Sequence, residues 1–163
     1  MTTATAASNR VVRLLADADL DRVIGIDRVH SGHSRRHFFE KRFAAAKAHP
    51  NDFIHIGIST AGALQGFAIA RIQRGEFGHK HAVAVLDALG VDEGSGERGL
   101  GQAIMEGLIE MSGKLGVRSL QSQVNWTNLD LLHFFSSAHF RLAPRIDLER
   151  SVTELHEEAD EEI

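Results

Sequence analysis

The residues of this chain best suited to chemistry are a run of glycines and a small number of carboxylates. The glycines lie in Gly94-Ser95-Gly96-Glu97-Arg98-Gly99-Leu100-Gly101, between an apolar stretch and a helical pattern. Such a loop lets an anion approach the backbone, where the free N–H groups of the first helical turn point at it. The chief carboxylate is Asp87, the one charged residue within the apolar run His81–Val91. Desolvation there favours proton acceptance near neutrality, which suits a general base. Its plainer alternative is to cap a backbone group or to pair with an arginine such as Arg36 or Arg145. Glu76, in the turn-rich Gly75-Glu76-Phe77-Gly78, is a second candidate for proton transfer. It reads equally as a turn residue or as a charge that attracts a cationic substrate.

The elements that must position these groups follow from periodicity and punctuation. Arg10–Leu15 suits a short first strand. Asp17 or Asp19 can cap a helix carrying Leu20, Val23, Ile24 and Asp27. Ser34 reads as the next N-cap, followed by Phe38, Phe39 and Phe43 at helical spacing in a helix that stops before Pro50. Phe53–Ser59 and Leu64–Gln73 are β-rich runs around Thr60-Ala61-Gly62 and read as a hairpin. His81–Val91 is a long strand. Leu100, Ala103, Ile104, Gly107, Leu108, Met111 and Leu115 form one apolar stripe, and Gly116 ends that helix at C′. Ser119–Val124 is a strand and Leu129–Ala138 a helix. Phe140–Leu142 and Ile146–Val152 are expected to close the fold as paired strands, giving the order β-α-α-β-β-β-α-β-α-β-β.

Three kinds of phosphate loop fit a glycine run in this place, and the residues separate them. A Walker A loop fails because Leu100, not Lys followed by Ser or Thr, comes after Gly99. Gly94–Gly99 does spell G-x-G-x-x-G. However, the following strand leads to Asn125 and Trp126 rather than a ribose-binding acid, and Asp92 and Glu93 put negative charge where pyrophosphate would approach. The remaining frame, Gly96-Glu97-Arg98-Gly99-Leu100-Gly101 after the strand Leu86–Val91, resembles the acetyl-CoA motif of the GCN5-related N-acetyltransferases, Gln/Arg-x-x-Gly-x-Gly/Ala. Downstream, Asn128, Phe135, His139 and Phe140 fall at the spacings of that family's Asn, Tyr and Gly-Phe. The likeness spans roughly Arg10–Val152. Gly75–Gly78, Leu86–Val91, Gln123–Trp126, Phe134-Phe135 and Ala143-Pro144-Arg145 look like a bacterial subgroup of unassigned substrate.

That resemblance implies a mixed, mostly antiparallel sheet flanked by helices (the acyl-CoA N-acyltransferase fold), acetyl-CoA as cosubstrate, and a primary amine as acceptor. It implies that Leu89, Gly90 and Val91 line the pantetheine, with the Leu89 or Val91 N–H holding the thioester oxygen. The amides of Arg98, Gly99, Leu100, Gly101, Gln102 and Ala103 would take the pyrophosphate, and Asn128 and Phe135 would flank the pantetheine arm. The sequence departs from the pattern at three points. Gly96 stands where the family has Gln or Arg, although Arg98 can restore the charge. His139 stands for Gly, and Phe135 for Tyr in a chain that contains no tyrosine. Phenylalanine cannot protonate a departing thiolate, so the proton would come from water, Ser136 or His133, or the thiolate leaves unprotonated. The missing phenol and Gly96 also motivate a different class, a non-catalytic acyl-CoA-binding or sensing module.

Composition bounds the rest. A chain of 163 residues holds one domain, expected over residues 10–152, with a disordered leader at 1–9 and an acidic tail at 153–163. A net charge of −4 argues against nucleic acid as a partner. No apolar run is long enough to cross a membrane. The absence of cysteine removes thiolate chemistry and fits a cytoplasmic protein. The ten histidines include no pair at metal-site spacing with a matching carboxylate, so no metal is expected. Arg35, Arg36, Lys41, Arg42 and Lys47 form a basic helix face, and Trp126 is expected to pack beside the cofactor cleft. The closing strands would lie at a sheet edge, and an uncovered edge favours a homodimer.

Overall fold

The computed structural model describes residues 9–75 and 81–151. Its strands are β1 (Arg10–Leu14), β2 (Phe53–Thr60), β3 (Ala63–Gln73), β4 (Val83–Val91) and β5 (Ser119–Ser122). Its helices are α1 (Leu20–Ser31), α2 (Arg36–Ala48), α3 (Leu100–Lys114) and α4 (Leu129–Ser137). The five strands form one sheet in chain order. The pairings β1–β2, β2–β3 and β3–β4 are antiparallel, and β4–β5 is parallel. This is the mixed, mostly antiparallel sheet flanked by helices that the resemblance implies.

The two-residue period of the strands sorts side chains into two cores. From β2, Ile54, Ile56 and Ile58 turn to one face, where they meet Ile104, Met105 and Leu108 of α3 and Phe135 of α4. On the other face Phe67 and Ile69 of β3 meet Val23, Ile24 and Ile26 of α1 and Phe39 and Phe43 of α2. A carboxylate bolts α1 to α2: Asp27, buried in α1, accepts from the Arg35 guanidinium, with Nε at 2.9 Å. The hairpin between β2 and β3 turns on Ala61 (φ 49°) and Gly62 (φ 84°). Both residues are left-handed, as a two-residue primed turn requires. Gly107 of α3 is demanded by packing, since a Cβ there would come within 2.7 Å of Val12 on β1.

Several expectations need correction. No strand forms over 140–151, and the rest of the expected closing pair lies outside the described residues. Pro144 has no N–H to give a ladder, and the Arg145 N–H folds back onto the Ala143 carbonyl at 2.8 Å. Leu142, Ile146 and Leu148 are left exposed there. The cap position of α2 is occupied by Arg35, not Ser34, and no side chain caps that helix. Asp19 does precede α1, yet its carboxylate accepts from the Ala16 N–H and from Arg13 rather than from the helix. The fourth strand begins at Val83 rather than His81. Trp126 is 82 % exposed and packs against no core. The leader up to residue 8, the acidic tail and Gly75–Gly78 beyond Gly75 lie outside the described residues.

Candidate active site

The site is built where β4 leaves β5. Their parallel pairing runs from Val83↔Ser119 only as far as Leu86↔Ser122, whereas β4 continues to Val91. Beyond Leu86 the two strands part, and one edge of β4 is without a neighbouring strand among the described residues. The divergence begins at a bulge. Against β3 the register steps from Ala70↔Leu86 to Ile69↔Ala88, so Asp87 is the extra residue. A bulge sharpens local twist and bends its strand.

The same register decides which amides face the gap. The Asp92 N–H donates to the Gln65 carbonyl at 2.7 Å, which extends the β3–β4 ladder by one rung. Antiparallel strands alternate between residues that bond to the neighbour and residues that face away from it. Asp92 and Gly90 therefore turn to β3, and Leu89 and Val91 turn their N–H groups to the open edge. Gly90 is a glycine for a different reason: a Cβ there would lie 2.8 Å from the Phe67 ring and 3.2 Å from Ile26.

Above this edge the glycine loop enters α3. Gly96 (φ 68°) and Gly99 (φ 75°) are both left-handed, a conformation that glycine adopts without strain. Gly99 is the N-cap of α3 and supplies no side chain, so the first-turn amides keep their donors for a ligand. Ala103 N–H is the first to close onto the helix, donating to the Gly99 carbonyl at 3.0 Å. Gly101 faces α4, where a Cβ would meet the Phe134 ring at 3.0 Å. Arg98 and Gln102 are exposed beside it, and Leu100 is buried in the core.

The acids of the loop are all engaged. Asp92 pairs with Arg22 of α1 and accepts from the Gly94 N–H at 3.0 Å. Glu93 lies 3.5 Å from His30, whose Nε2 is also 2.7 Å from the Val91 carbonyl oxygen. Glu97 accepts from Arg10 Nε at 2.8 Å. Each acid of the loop is thus faced by a side chain from the N-terminal elements, Arg22, His30 or Arg10.

Asp87 is nearly buried and held by two arginines. Arg71 Nε donates to its two oxygens at 3.0 and 2.7 Å, and Arg42 Nε of α2 lies 3.1 Å from Oδ2. These are different arginines from the two that the sequence suggested. The ion pair brings α2 onto the bulge at the point where β4 and β5 separate. Next to it His55 of β2 is buried, and its Nε2 has no hydrogen-bond partner. Burial pushes the His55 imidazole down to about 4; the Asp87 carboxylate opposes this and the Arg42 guanidinium adds to it. His55 also lines a groove of about 380 Å³ with Leu14, Phe43, Lys47, Pro50 and Phe53. That groove sits where β1 ends and β2 begins, the opposite end of the sheet from the glycine loop.

Of the downstream residues, Asn128 caps α4, its Oδ1 accepting from the Leu131 N–H at 3.1 Å. Phe135 is buried against Phe140, with ring centroids 4.8 Å apart. His139 takes φ 63°, the left-handed conformation that explains why glycine suits its position. Glu76 lies outside the described residues. Nothing in the sequence neighbourhood of Arg10 and Arg22 links them to a loop some seventy or more residues away. Among the described residues no group of three His, Cys, Asp or Glu could hold a metal ion. No helix among them is long and apolar enough to cross a membrane.

A parting parallel strand pair, an uncapped helix start and a glycine loop over the strand end together form a cleft whose free backbone amides suit an anionic ligand. The family model described as the acetyltransferase (GNAT) family matches residues 8–140, so the chain belongs to that family and its general activity is acetyl transfer. Similar solved structures agree on the fold. A transcriptional regulator from Bacillus halodurans C-125 aligns at 14 % identity over 87 % of this chain and 99 % of its own, with a TM-score of 0.73. AAC(6')-Iy, in complex with the bisubstrate analogue CoA-S-monomethyl-acetylneamine, aligns at 17 % identity over 88 % and 99 %, with a TM-score of 0.71. Glucosamine-6-phosphate N-acetyltransferase from Arabidopsis thaliana aligns at 15 % identity over 88 % and 99 %, with a TM-score of 0.65. Among curated proteins none matches the sequence.

Proposed function

We propose that the chain uses acetyl-CoA to acetylate a primary amine, on a small molecule or a peptide, by direct attack. The observation that carries this reading is the open edge of β4, with the Leu89 and Val91 N–H groups facing it beneath the uncapped start of α3. The pyrophosphate is bound by amides of Arg98–Ala103, mainly backbone. The pantetheine runs along Leu89–Val91, with Asn128 and Phe135 on the far side, Asn128 acting by holding the start of α4. A neutral amine attacks the thioester carbon, the C–N bond forms, and the Leu89 or Val91 N–H stabilises the oxyanion. The C–S bond then breaks.

Proton transfer has fewer side chains to call on. Three guanidinium contacts occupy the Asp87 carboxylate, which favours a role as ionic anchor of the bulge over that of base. In this reading the amine proton passes to water in the cleft, and Glu76 is the other carboxylate to test. Phe135 has no hydroxyl, so the thiolate leaves without a tyrosine donor. Two of the similar structures bear names with amine-derived substrates, an acetylneamine conjugate and glucosamine 6-phosphate, which supports an amine acceptor. The chain acts as a homodimer in this reading, because the outer edge of β5 carries no strand among the described residues and Leu142, Ile146 and Leu148 stand exposed; the absence of cysteine supports a cytoplasmic location.

The second reading, an acyl-CoA-binding or sensing module, is favoured by the absence of any tyrosine. Acceptor-dependent release of CoA thiol across a broad amine panel, together with calorimetry of CoA binding, separates them. Turnover with at least one amine supports the transferase, and tight binding without turnover supports the sensor. Gly101→Val is the site control, because its branched side chain must displace the Phe134 ring already 3.0 Å from a Cβ. It should abolish CoA binding, while Arg98→Ala weakens it only modestly. Normal affinity in the valine variant would remove the cofactor from this loop.

A further inference from the structure

The loop from Asp92 to Gly99 carries three acids and one cation, Arg98, and each acid has a partner from the first thirty residues. Arg22 pairs with Asp92, and His30 lies 3.5 Å from Glu93 and 2.7 Å from the Val91 carbonyl oxygen; neither contacts a peptide group of the loop itself. Arg10 does something different. Its Nε donates to Glu97 Oε2 at 2.8 Å, and its Nη2 donates to the Arg98 carbonyl oxygen at 2.8 Å. One guanidinium thus grips a side chain and a peptide group of the same loop, and the fork geometry of arginine makes that possible. Lysine has three donors but on one compact, freely rotating ammonium, so it lacks the fixed fork that holds the two acceptors in one geometry.

The carbonyl contact has a consequence for the neighbouring amide. In a trans peptide the C=O and the following N–H point in opposite directions. An Arg98 carbonyl fixed toward Arg10 therefore fixes the Gly99 N–H away from β1. Gly99 is left-handed at φ 75° and is the cap of α3, so the orientation of its peptide also sets the direction in which the first-turn amides emerge. Space is not the constraint here, because a Cβ on Gly99 would sit 3.9 Å from Arg10 Nη1, an ordinary contact. The constraint is the direction of the peptide.

We propose that Arg10 is a positioning residue for the cosubstrate: it orients the Arg98–Gly99 peptide through the Arg98 carbonyl, and so sets the affinity for the acetyl-CoA pyrophosphate without touching the acyl group. This rests on the acetyl-CoA reading of the cleft. It goes beyond charge neutralisation, because the Glu97 pair alone would leave the peptide free to turn.

Full-length protein and its Arg10→Gln, Glu97→Gln and doubly substituted variants test it, by calorimetry with CoA and by steady-state kinetics at varied acetyl-CoA. Arg10→Gln should raise the dissociation constant about tenfold, the scale of one charge-assisted hydrogen bond. Its kcat at saturating acetyl-CoA should stay within about twofold of wild type, which a merely structural lesion would not preserve. Glu97→Gln should bind CoA as well as wild type, since the carbonyl contact remains. The double variant should stay as weak as Arg10→Gln. Equal affinity of Arg10→Gln and wild type would overturn the proposal, and so would recovery of affinity in the double variant, which would reduce Arg10 to a counter-charge. Wild-type protein that binds no CoA would instead overturn the acetyl-CoA reading beneath it.

Discussion

His55 gives the sharpest physical test, because burial is the largest contribution to its cost. It is 8 % exposed, between the rings of Phe43 and Phe53, with Nε2 lacking a hydrogen-bond partner. Its pKa falls from 6.5 to about 4, chiefly through desolvation of the charged form. The unfolded chain therefore binds this proton at a higher pH than the folded one. Stability is full above about pH 6.5 and falls as the pH drops toward 4, below which the loss levels off. At about 1.4 kcal/mol per pH unit of displacement, the whole loss is about 3.5 kcal/mol, of which about 2 kcal/mol has gone by pH 5. His55→Leu removes the titrating group and the unpaired nitrogen together. Urea unfolding of both proteins at several pH values isolates the difference from the carboxylates, which titrate in both. At pH 7 the two should agree within about 1 kcal/mol, the scale of a near-isosteric core exchange. At pH 5 the leucine variant should have gained about 2 kcal/mol on wild type. Parallel stability curves from pH 7 to pH 4.5 would refute the claim that His55 is buried as the neutral imidazole.

Two further outcomes are expected. Asp87→Asn should destabilise the fold by about 2 kcal/mol, because it leaves the Arg71 and Arg42 guanidiniums without their anion, partly relieved by their exposure to solvent. The folded variant should keep kcat within about tenfold of wild type; a fall of about a hundredfold or more with loss of the acidic limb of the rate profile would make Asp87 the base after all. Sedimentation equilibrium should return twice the mass of one chain, reduced to one on deletion of Ile146–Ile163, and a monomer at tens of micromolar protein would end the dimer proposal.

Much of the fold and the glycine loop at the start of α3 can be read from local pattern. The apolar stripe from Leu100 predicts α3, and the structure places the helix at Leu100–Lys114 with Gly116 left-handed after it. The hairpin, the glycine loop and the carboxylate on β4 are legible for the same reason: period, turn chemistry and a charge in an apolar run are properties of neighbouring residues. Pattern also misleads when its cue is real but unpartnered. The residues after Phe140 have strand-like composition, yet a strand exists only where a neighbouring segment completes its ladder, and no strand forms over 140–151. Trp126 illustrates the same limit for side chains: an apolar type does not say what lies opposite it.

What only the tertiary structure decides are relations between distant positions. Asp87 is an isolated acid in sequence, and its partners Arg71 and Arg42 become neighbours only when β3 pairs with β4 and α2 packs across them. The bulge that places Asp87 outside the ladder is a property of the register between two strands, not of either strand. Arg10 reaches Glu97 and Arg98 because β1 starts at the same end of the sheet at which β4 finishes, a fact fixed by three successive antiparallel pairings. The sequence thus determines which segments can be helix, strand and anion-binding loop, since those depend on short-range sterics and periodicity. The fold alone determines which charges meet, because electrostatic partners are chosen by distance in space.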